Sequence, residues 1–280
     1  MSFPAGAKQE ALHEPALPPW IPSRSRGPQE SGTMWVAGVD GCRVGWIAAL
    51  MQVGVPSSAQ IVVAPTLAAI ADAPEKPAVI AVDMPIGLPE RTNGSGRPPE
   101  QLIRPLLGQR QSSVFAIPSR QAVHAQDYGE ACRLALATSD PPRKVSRQGF
   151  GIFPKIREID ALLRTRPELV DRVFEVHPEL AFWALNGRQA LDQPKKVKGV
   201  PYEPGMRLRR TLLKASGLLD DAVIDSPPPK GAAADDLLDA LAGLTVALDL
   251  ATGGGQSFPD PPGRDAHGLP VAIWTLRNPS

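Results

Sequence analysis

Five acidic residues in this chain stand where a carboxylate needs compensation. Asp40 closes the apolar run of VAGVDGC, and Asp83 closes that of VIAVDMP. Glu175 lies in FEVHPE, which reads as a strand. Asp236 and Asp239 stand three apart in DDLLDALAG, on one face of a helix. A charge at the end of a buried apolar strand is unfavourable unless something offsets it. A divalent cation does so, and hard cations prefer oxygen ligands. Two such ions about 3.5–4 Å apart activate a water and stabilise the leaving oxygen in phosphodiester cleavage. Asp40, Asp83, Glu175, Asp236 and Asp239 are therefore candidate catalytic residues. Asp40, Asp83, Asp236 and Asp239 are candidate ligands for Mg²⁺ or Mn²⁺. Each acid also has an ordinary alternative: a strand-end Asp caps a turn or helix. Asp235 suits the charge of a helix N-terminus, and Asp236 and Asp239 lie near enough to do the same.

Other residues add to this set. His177 alternates with Glu175 and shares its face if the strand runs that far. It is a candidate for substrate or metal contact, or a structural histidine. Cys42 follows the Asp-Gly turn with no histidine nearby in sequence and reads as structural. The chain has no GxxxxGK[ST] phosphate loop, no strand–GxGxxG–helix, and no CxxC or HExxH zinc signature. Its overall charge of +1 hides a division: residues 91–214 carry a net +10 and the rest a net −9. A basic segment beside an acidic site suits a metal-dependent enzyme on phosphate-containing substrates. Solvated helix faces are the plain alternative. Arg43, Arg110, Arg120, Lys155 and Arg157 are the candidate cations facing phosphate, with Ser113 as a candidate donor. Little aromatic residue is interleaved, so no base-stacking platform is evident.

The elements that must position these residues follow from the hydropathy pattern. Residues 35–39, 44–51 and 60–64 read as strands, the first two as a hairpin about a tight turn. Thr66 caps a short helix. Residues 77–82 form a continuous apolar strand buried on both faces. If the first and fourth strands lie side by side and parallel, Asp40 and Asp83 emerge at one sheet edge, where open α/β sheets bind ligands. Ile156, Ile159, Leu162 and Leu163 predict a helix over 153–164. A strand over 172–176, helices over 178–185, 208–216 and 232–251, and a short strand near 271–274 complete the pattern. No internal repeat is evident.

With 280 residues, 42% hydrophobic and 21% charged, the chain can bury a sizeable core. It is neither disordered throughout nor disulfide-stapled, since Cys42 and Cys132 are its two cysteines. A cytoplasmic setting is the default for such a chain, and no apolar run reaches the ~18 residues of a membrane span. Residues 1–33 are Pro-rich without hydrophobic period and read as a disordered tail, leaving 34–280 as a single domain. Met34 stands at the start of the first strand and is a candidate true start. Intact-mass analysis of protein made from the native gene is expected to give the Met34 mass. A Met1 mass would overturn that start.

Six segments, in order, resemble a known family. They are VAGVDGCRVGWIAA, AVDMPIGLPE, LLGQRQSSVFAIPSR, SRQGFGIFPKIREIDALLR, FEVHPELAFWALNG and DDLLDALAGLTVA. The sequence is similar over about residues 34–275 to the domain-of-unknown-function 429 family, described as predicted nucleases with an RNase H-like fold. The resemblance implies an α/β fold: an RNase H-like mixed sheet, three antiparallel then two parallel strands, flanked by helices. A helical basic segment would be inserted at about 91–170. It also implies acids on strand one, strand four and a late helix, matched by Asp40, Asp83 and the Asp236–Asp239 pair. Where relatives tend to have an R-x-C-D-like stretch, this chain reads Arg97-Pro98-Pro99-Glu100.

The leading expectation is a metal-dependent nuclease with Mg²⁺ or Mn²⁺ and a nucleic-acid partner. One alternative is a non-catalytic nucleic-acid-binding or regulatory module, since fold does not fix function. Another is ATP-dependent phosphoryl transfer, because actin-like ATPase folds duplicate this topology. Those folds usually need more chain than the roughly 240 residues available after the tail.

Overall fold

The computed structural model describes residues 34–277, so the expectations for residues 1–33 lie outside the described residues. The core is a five-stranded sheet built from β1 (Trp35–Cys42), β2 (Gly45–Gln52), β3 (Val55–Ala64), β4 (Val79–Val82) and β5 (Val173–Glu175). Its spatial order is β3-β2-β1-β4-β5. The first three strands form an antiparallel meander, and β4 and β5 join β1 in parallel. The three-antiparallel-then-parallel expectation therefore holds.

Alternate residues of the strands enter two separate cores. Val36, Ile47, Ala49 and Ala81 face one, and Ala37, Val39, Ile80 and Val82 face the other. Burial on both faces explains why these strands read as continuous apolar runs. The helices are α1 (Leu67–Ala71), α2 (Pro98–Ile103), α3 (Tyr128–Ala137), α4 (Arg147–Thr165), α5 (Pro178–Leu185), α6 (Glu203–Ala215) and α7 (Ala234–Ala251), with shorter turns between them. The first core is covered by α5, α6 and α7. The second is covered by α1, α3 and α4, with Phe153, Ile156, Ile159 and Leu163 of α4 buried as their spacing predicts.

Several boundaries differ from the sequence pattern, among them the start of α6 at Glu203, five residues before the expected 208. Helix α4 begins at Arg147, because Ser146 caps it by accepting from the Gly149 amide at 2.9 Å. Pro154, which the pattern puts in a first turn, lies inside that helix. Strand β3 starts at Val55, five residues earlier than its apolar stretch, because its outer half is a sheet edge and needs no hydrophobic run. The final strand, β7 (Pro270–Thr275), pairs with β6 (Gln256–Arg264) in a separate two-stranded sheet. The prolines of SFPDPPGR hid β6. They fall at the register break between Phe258 and Gly263, where the ladder lacks the amides they would remove.

Helix α7 touches the sheet more closely than side chains allow. A Cβ on Gly38 would lie 1.9 Å from the Leu244 amide nitrogen and 2.1 Å from the Ala240 carbonyl oxygen. Gly243 faces back, its Cβ position 3.3 Å from the Gly38 Cα. Gly38→Ala is therefore expected to destabilise by at least about 3 kcal/mol, the upper range for overpacking. Gly151, inside α4 with nothing within 4 Å of its Cβ position, is the control. Gly151→Ala is expected to stabilise by about 0.5–1 kcal/mol. Chemical denaturation of both variants checks the pair. Equal, small effects would show that the α7 contact is not tight.

Candidate functional site

The carboxylates meet because of this contact. Asp40 lies two residues beyond Gly38 on β1, hence on the same face. Ala81 is the register partner of Gly38 on β4, and Asp83 lies two residues beyond it. Asp239 lies four residues before Gly243 on α7, one turn up the same helical face. Asp40, Asp83 and Asp239 each offer an oxygen, and these atoms lie within 4.8 Å of one another. Asp40 and Asp239 are buried, and Asp83 is half-buried. Such a trio could hold a divalent cation.

Its electrostatics are unfavourable without one. Burial, then the charge of Asp239, pushes Asp83 up to about 8. Burial, then Asp83 and Asp239, holds Asp40 well above the usual carboxylate range. Burial raises Asp239 too, against the opposing pull of Lys195. The Asp239 Oδ1 atom is buried without a hydrogen-bond partner. Its other oxygen, Oδ2, accepts from the Lys195 ammonium. Burial works to neutralise Lys195, but Asp239 and Asp40 outweigh it and keep the side chain charged.

Asp236 and Glu175 stand apart from the trio. Asp236 caps α7, its Oδ2 accepting from the Ala233 amide at 2.8 Å. This is the capping role that its place near the helix start offers. Glu175 is the register partner of Val82, so it is one residue out of phase with Asp83. Its oxygens accept from the Ile86 amide at 2.7 Å and from Arg97 at 2.5 Å. Arg97 is buried, also binds Glu100 at 2.6 Å, and donates to the Ile86 and Gly87 carbonyls at 2.6 and 2.9 Å. The Arg-Pro-Pro-Glu stretch thus clamps the loop that follows Asp83. Asp235, expected to serve the helix N-terminus, pairs with Lys196 at 2.5 Å.

A cleft of about 190 Å³ opens beside the trio. Asp40, Asp83 and Glu175 line it along with Lys155, Ser113 and His177. Phe115, Ile117, Ile152 and Ile273 give it an apolar wall. The Lys155 stem packs over Gly41, whose Cβ would lie 2.8 Å from it, and its ammonium sits 4.3 Å from the Trp46 ring centroid and donates to the Gly45 carbonyl. His177 is the N-cap residue of α5, past the end of β5. Burial lowers it to about 4, and its Nδ1 is buried without a partner. The Ser113 hydroxyl donates to the Arg110 carbonyl at 2.8 Å.

Two expected phosphate contacts are engaged within the fold instead. Arg120 is buried between Asp160, at 2.5 Å, and Asp265, at 2.6 Å. Arg157 donates to the carbonyls of Val123 and Ala125 at 3.0 and 3.2 Å. Asp160 lies on α4 and Asp265 in the β6–β7 connection, both too distant in sequence for a local pattern to pair them with Arg120. Arg110 is half-buried at the chain's turn before Ser113, and Arg43 is exposed in the β1–β2 turn. Sequence reasoning missed Lys195 and the buried Glu179–Arg209 pair at 2.6 Å, which lay among unspecific basic runs. Cys42 and Cys132 are buried free thiols. Among the described residues no helix is long and apolar enough to cross a membrane.

The raised carboxylates fix the sign of a pH effect. The folded trio binds protons more tightly than ordinary aspartates near 3.9 do. Its contribution to stability is present below that range and is lost as pH rises through about 8. The lowered His177 acts between about 4 and its ordinary 6.5, below the chosen window. Chelator-treated protein is expected to melt at a lower temperature at pH 8.5 than at pH 6.5, a range chosen about the ~8 of Asp83. Asp83→Asn should shrink that difference. A flat profile in thermal melts would refute the proximity of the charges.

A family model described as a protein of unknown function, DUF429, matches residues 38–264. Searches of curated proteins and of solved structures returned no match. The matched span starts at Gly38 and covers β1 to β6, with all three clustered aspartates inside it. The chain belongs to the DUF429 family.

Proposed function

We propose that this protein is a divalent-metal-dependent phosphodiesterase acting on nucleic acid, built on an RNase H-like sheet. The observation that carries this reading is the convergence of Asp40, Asp83 and Asp239 with a buried Asp239 oxygen left unpartnered. The strand order and the late helix crossing β1 support the fold comparison. Asp40, Asp83 and Asp239 would hold Mg²⁺ or Mn²⁺. A cation bound there supplies Lewis acidity and a water of lowered pKa.

The chain's own residues do the rest. Asp40 and Asp83 reach the cleft from adjacent parallel strands, so both act on whatever lies at its acidic end. Arg97 binds Glu175, Glu100 and the Ile86 and Gly87 carbonyls, and so holds the loop after Asp83 still. His177 lines the cleft as a neutral imidazole, able to hydrogen-bond without adding charge. The apolar wall of Phe115, Ile117 and Ile152 suits a nucleobase or sugar edge. A volume of about 190 Å³ falls below the ~300 Å³ at which pockets for drug-sized ligands begin. The cleft therefore favours one unit of a single strand, or a small phosphodiester, over an enclosed duplex.

The test is a cleavage screen on labelled single-stranded, double-stranded, hybrid and branched substrates with Mn²⁺, Mg²⁺ or chelator. Loss of a group that merely orients a ligand costs about 10–100-fold, so Asp40→Asn is expected to lose at least about 100-fold in activity. Its fold should persist, because the neutral amide relieves repulsion from Asp83 and Asp239. Cleavage by Asp40→Asn at the wild-type rate, with matching circular dichroism, would refute the site. No cleavage of any nucleic acid by the wild type would move the reading to small nucleotide substrates or to a binding module.

A further inference from the structure

Lys195 is a lysine that the surrounding structure does not leave free to wander. It lies in the connection between α5 and α6, just before a small hairpin of Lys196–Val197 and Val200–Pro201. The chain on either side is fastened. The Gln193 carbonyl accepts from buried Arg209 at 3.1 Å, and Arg209 is itself held by both oxygens of Glu179. Pro194 presses on α6 so closely that a Cβ on Gly205 would lie 1.9 Å from its carbonyl oxygen. The Lys195 carbonyl accepts from the Tyr202 amide at 2.8 Å. Lys196 is tied to Asp235, the neighbour of Asp239 on the previous turn of α7.

That fastening delivers one ammonium to Asp239 Oδ2 and leaves Asp239 Oδ1 unpartnered. The neighbouring acids do not compete for it by contact: Glu179 is bound to Arg209 and Asp235 to Lys196. Asp40 and Asp83 line the cleft, whereas Asp239 and Lys195 are not among its lining residues. Two carboxylates of the cluster thus face the cleft, and the third already carries a built-in cation.

We propose that Lys195 is a resident cation of the carboxylate centre, so that a single divalent ion completes a site whose carboxylate set otherwise suits two. This rests on the metal reading given above. Three carboxylates less one ammonium leave two negative charges, which one divalent ion balances. Lys195 acts through Asp239 and is a positioning residue: it fixes one oxygen of that carboxylate and leaves the other available. Such outer partners of metal-binding carboxylates govern affinity about 10–100-fold.

Calorimetric titration of the full chain with Mn²⁺ tests this, with Mn²⁺ electron paramagnetic resonance as the second readout. Wild type is expected to bind one ion, with the spectrum of an isolated Mn²⁺. Lys195→Met is expected to bind two, with the broadened spectrum of a coupled pair, because a second ion takes the vacated place at Asp239. Lys195→Arg keeps the charge and is expected to bind one, which controls for folding. Two coupled ions in the wild type would overturn the inference while leaving the metal reading intact. One ion in Lys195→Met, bound ten-fold or more tightly than in wild type, would also overturn it and make Lys195 a displaceable plug. No ion in the wild type would overturn the metal reading, and this inference with it.

Discussion

The approach of α7 to β1 through Gly38 and Gly243 governs where every other group of the centre can be. A helix and a strand normally stay apart by the width of their side chains. Here the helix backbone lies against the strand backbone, with no room for a Cβ. The register of β1 with β4 then carries the effect sideways, from Gly38 to Ala81 and so from Asp40 to Asp83. Two elements remote in sequence are thereby held at carboxylate distance from each other. The apolar residues Leu237, Leu238 and Leu241 bury the helix around that contact. Packing in the core thus opposes the mutual repulsion of the acids at its edge.

That opposition explains the distribution of cations. The basic middle of the chain suggested a surface for phosphate. In the fold, several of its cations are internal counter-charges: Arg97 between Glu100 and Glu175, Arg120 between Asp160 and Asp265, and Arg209 on Glu179. A buried charge without a partner costs several kcal/mol, so such pairs are obligatory once the acids are inside. Arginine suits the role because its planar fork reaches two acceptors at once, as Arg97 and Arg120 both do. Part of the segment that looked like a ligand surface is thus the means by which buried acids are neutralised.

The legible part of the sequence was the part written in periodicity. Continuous apolar runs ending in Asp40 and Asp83, and the long helix carrying Asp239, placed the sheet, its parallel pair and the carboxylates. The pattern could not separate Asp239 from Asp236, since both lie on the helix near its start. Only the position of Gly243 one turn below Asp239 separates them, and a small residue in a helix carries no such label alone. Glu175 stands one residue out of phase with Asp83 against β4, an offset that the sequence does not specify. Lys195 was invisible because its role depends on Pro194 meeting Gly205 and on Arg209 holding Gln193. Such contacts between irregular segments have no period to read.

The two sides of the centre differ in how each carboxylate is satisfied, and this difference sets direction. Asp239 is buried, and one of its oxygens is taken by a lysine whose backbone is pinned on both flanks. Asp40 and Asp83 border a cleft that Phe115, Ile117, Ile152 and Ile273 also line. A ligand in it would meet both hydrocarbon and carboxylates. Under the proposed function, a cation that takes the place of the protons which burial holds on Asp40 and Asp83 would make that part of the cleft receptive to an anionic group. Under the proposed function, a ligand of this cleft would be amphipathic, its anionic group arriving together with, or after, the metal. A nucleotide unit has that division between base and phosphate, and under the same proposal it is the cation, by displacing protons from Asp40 and Asp83, that would turn these residues toward phosphate.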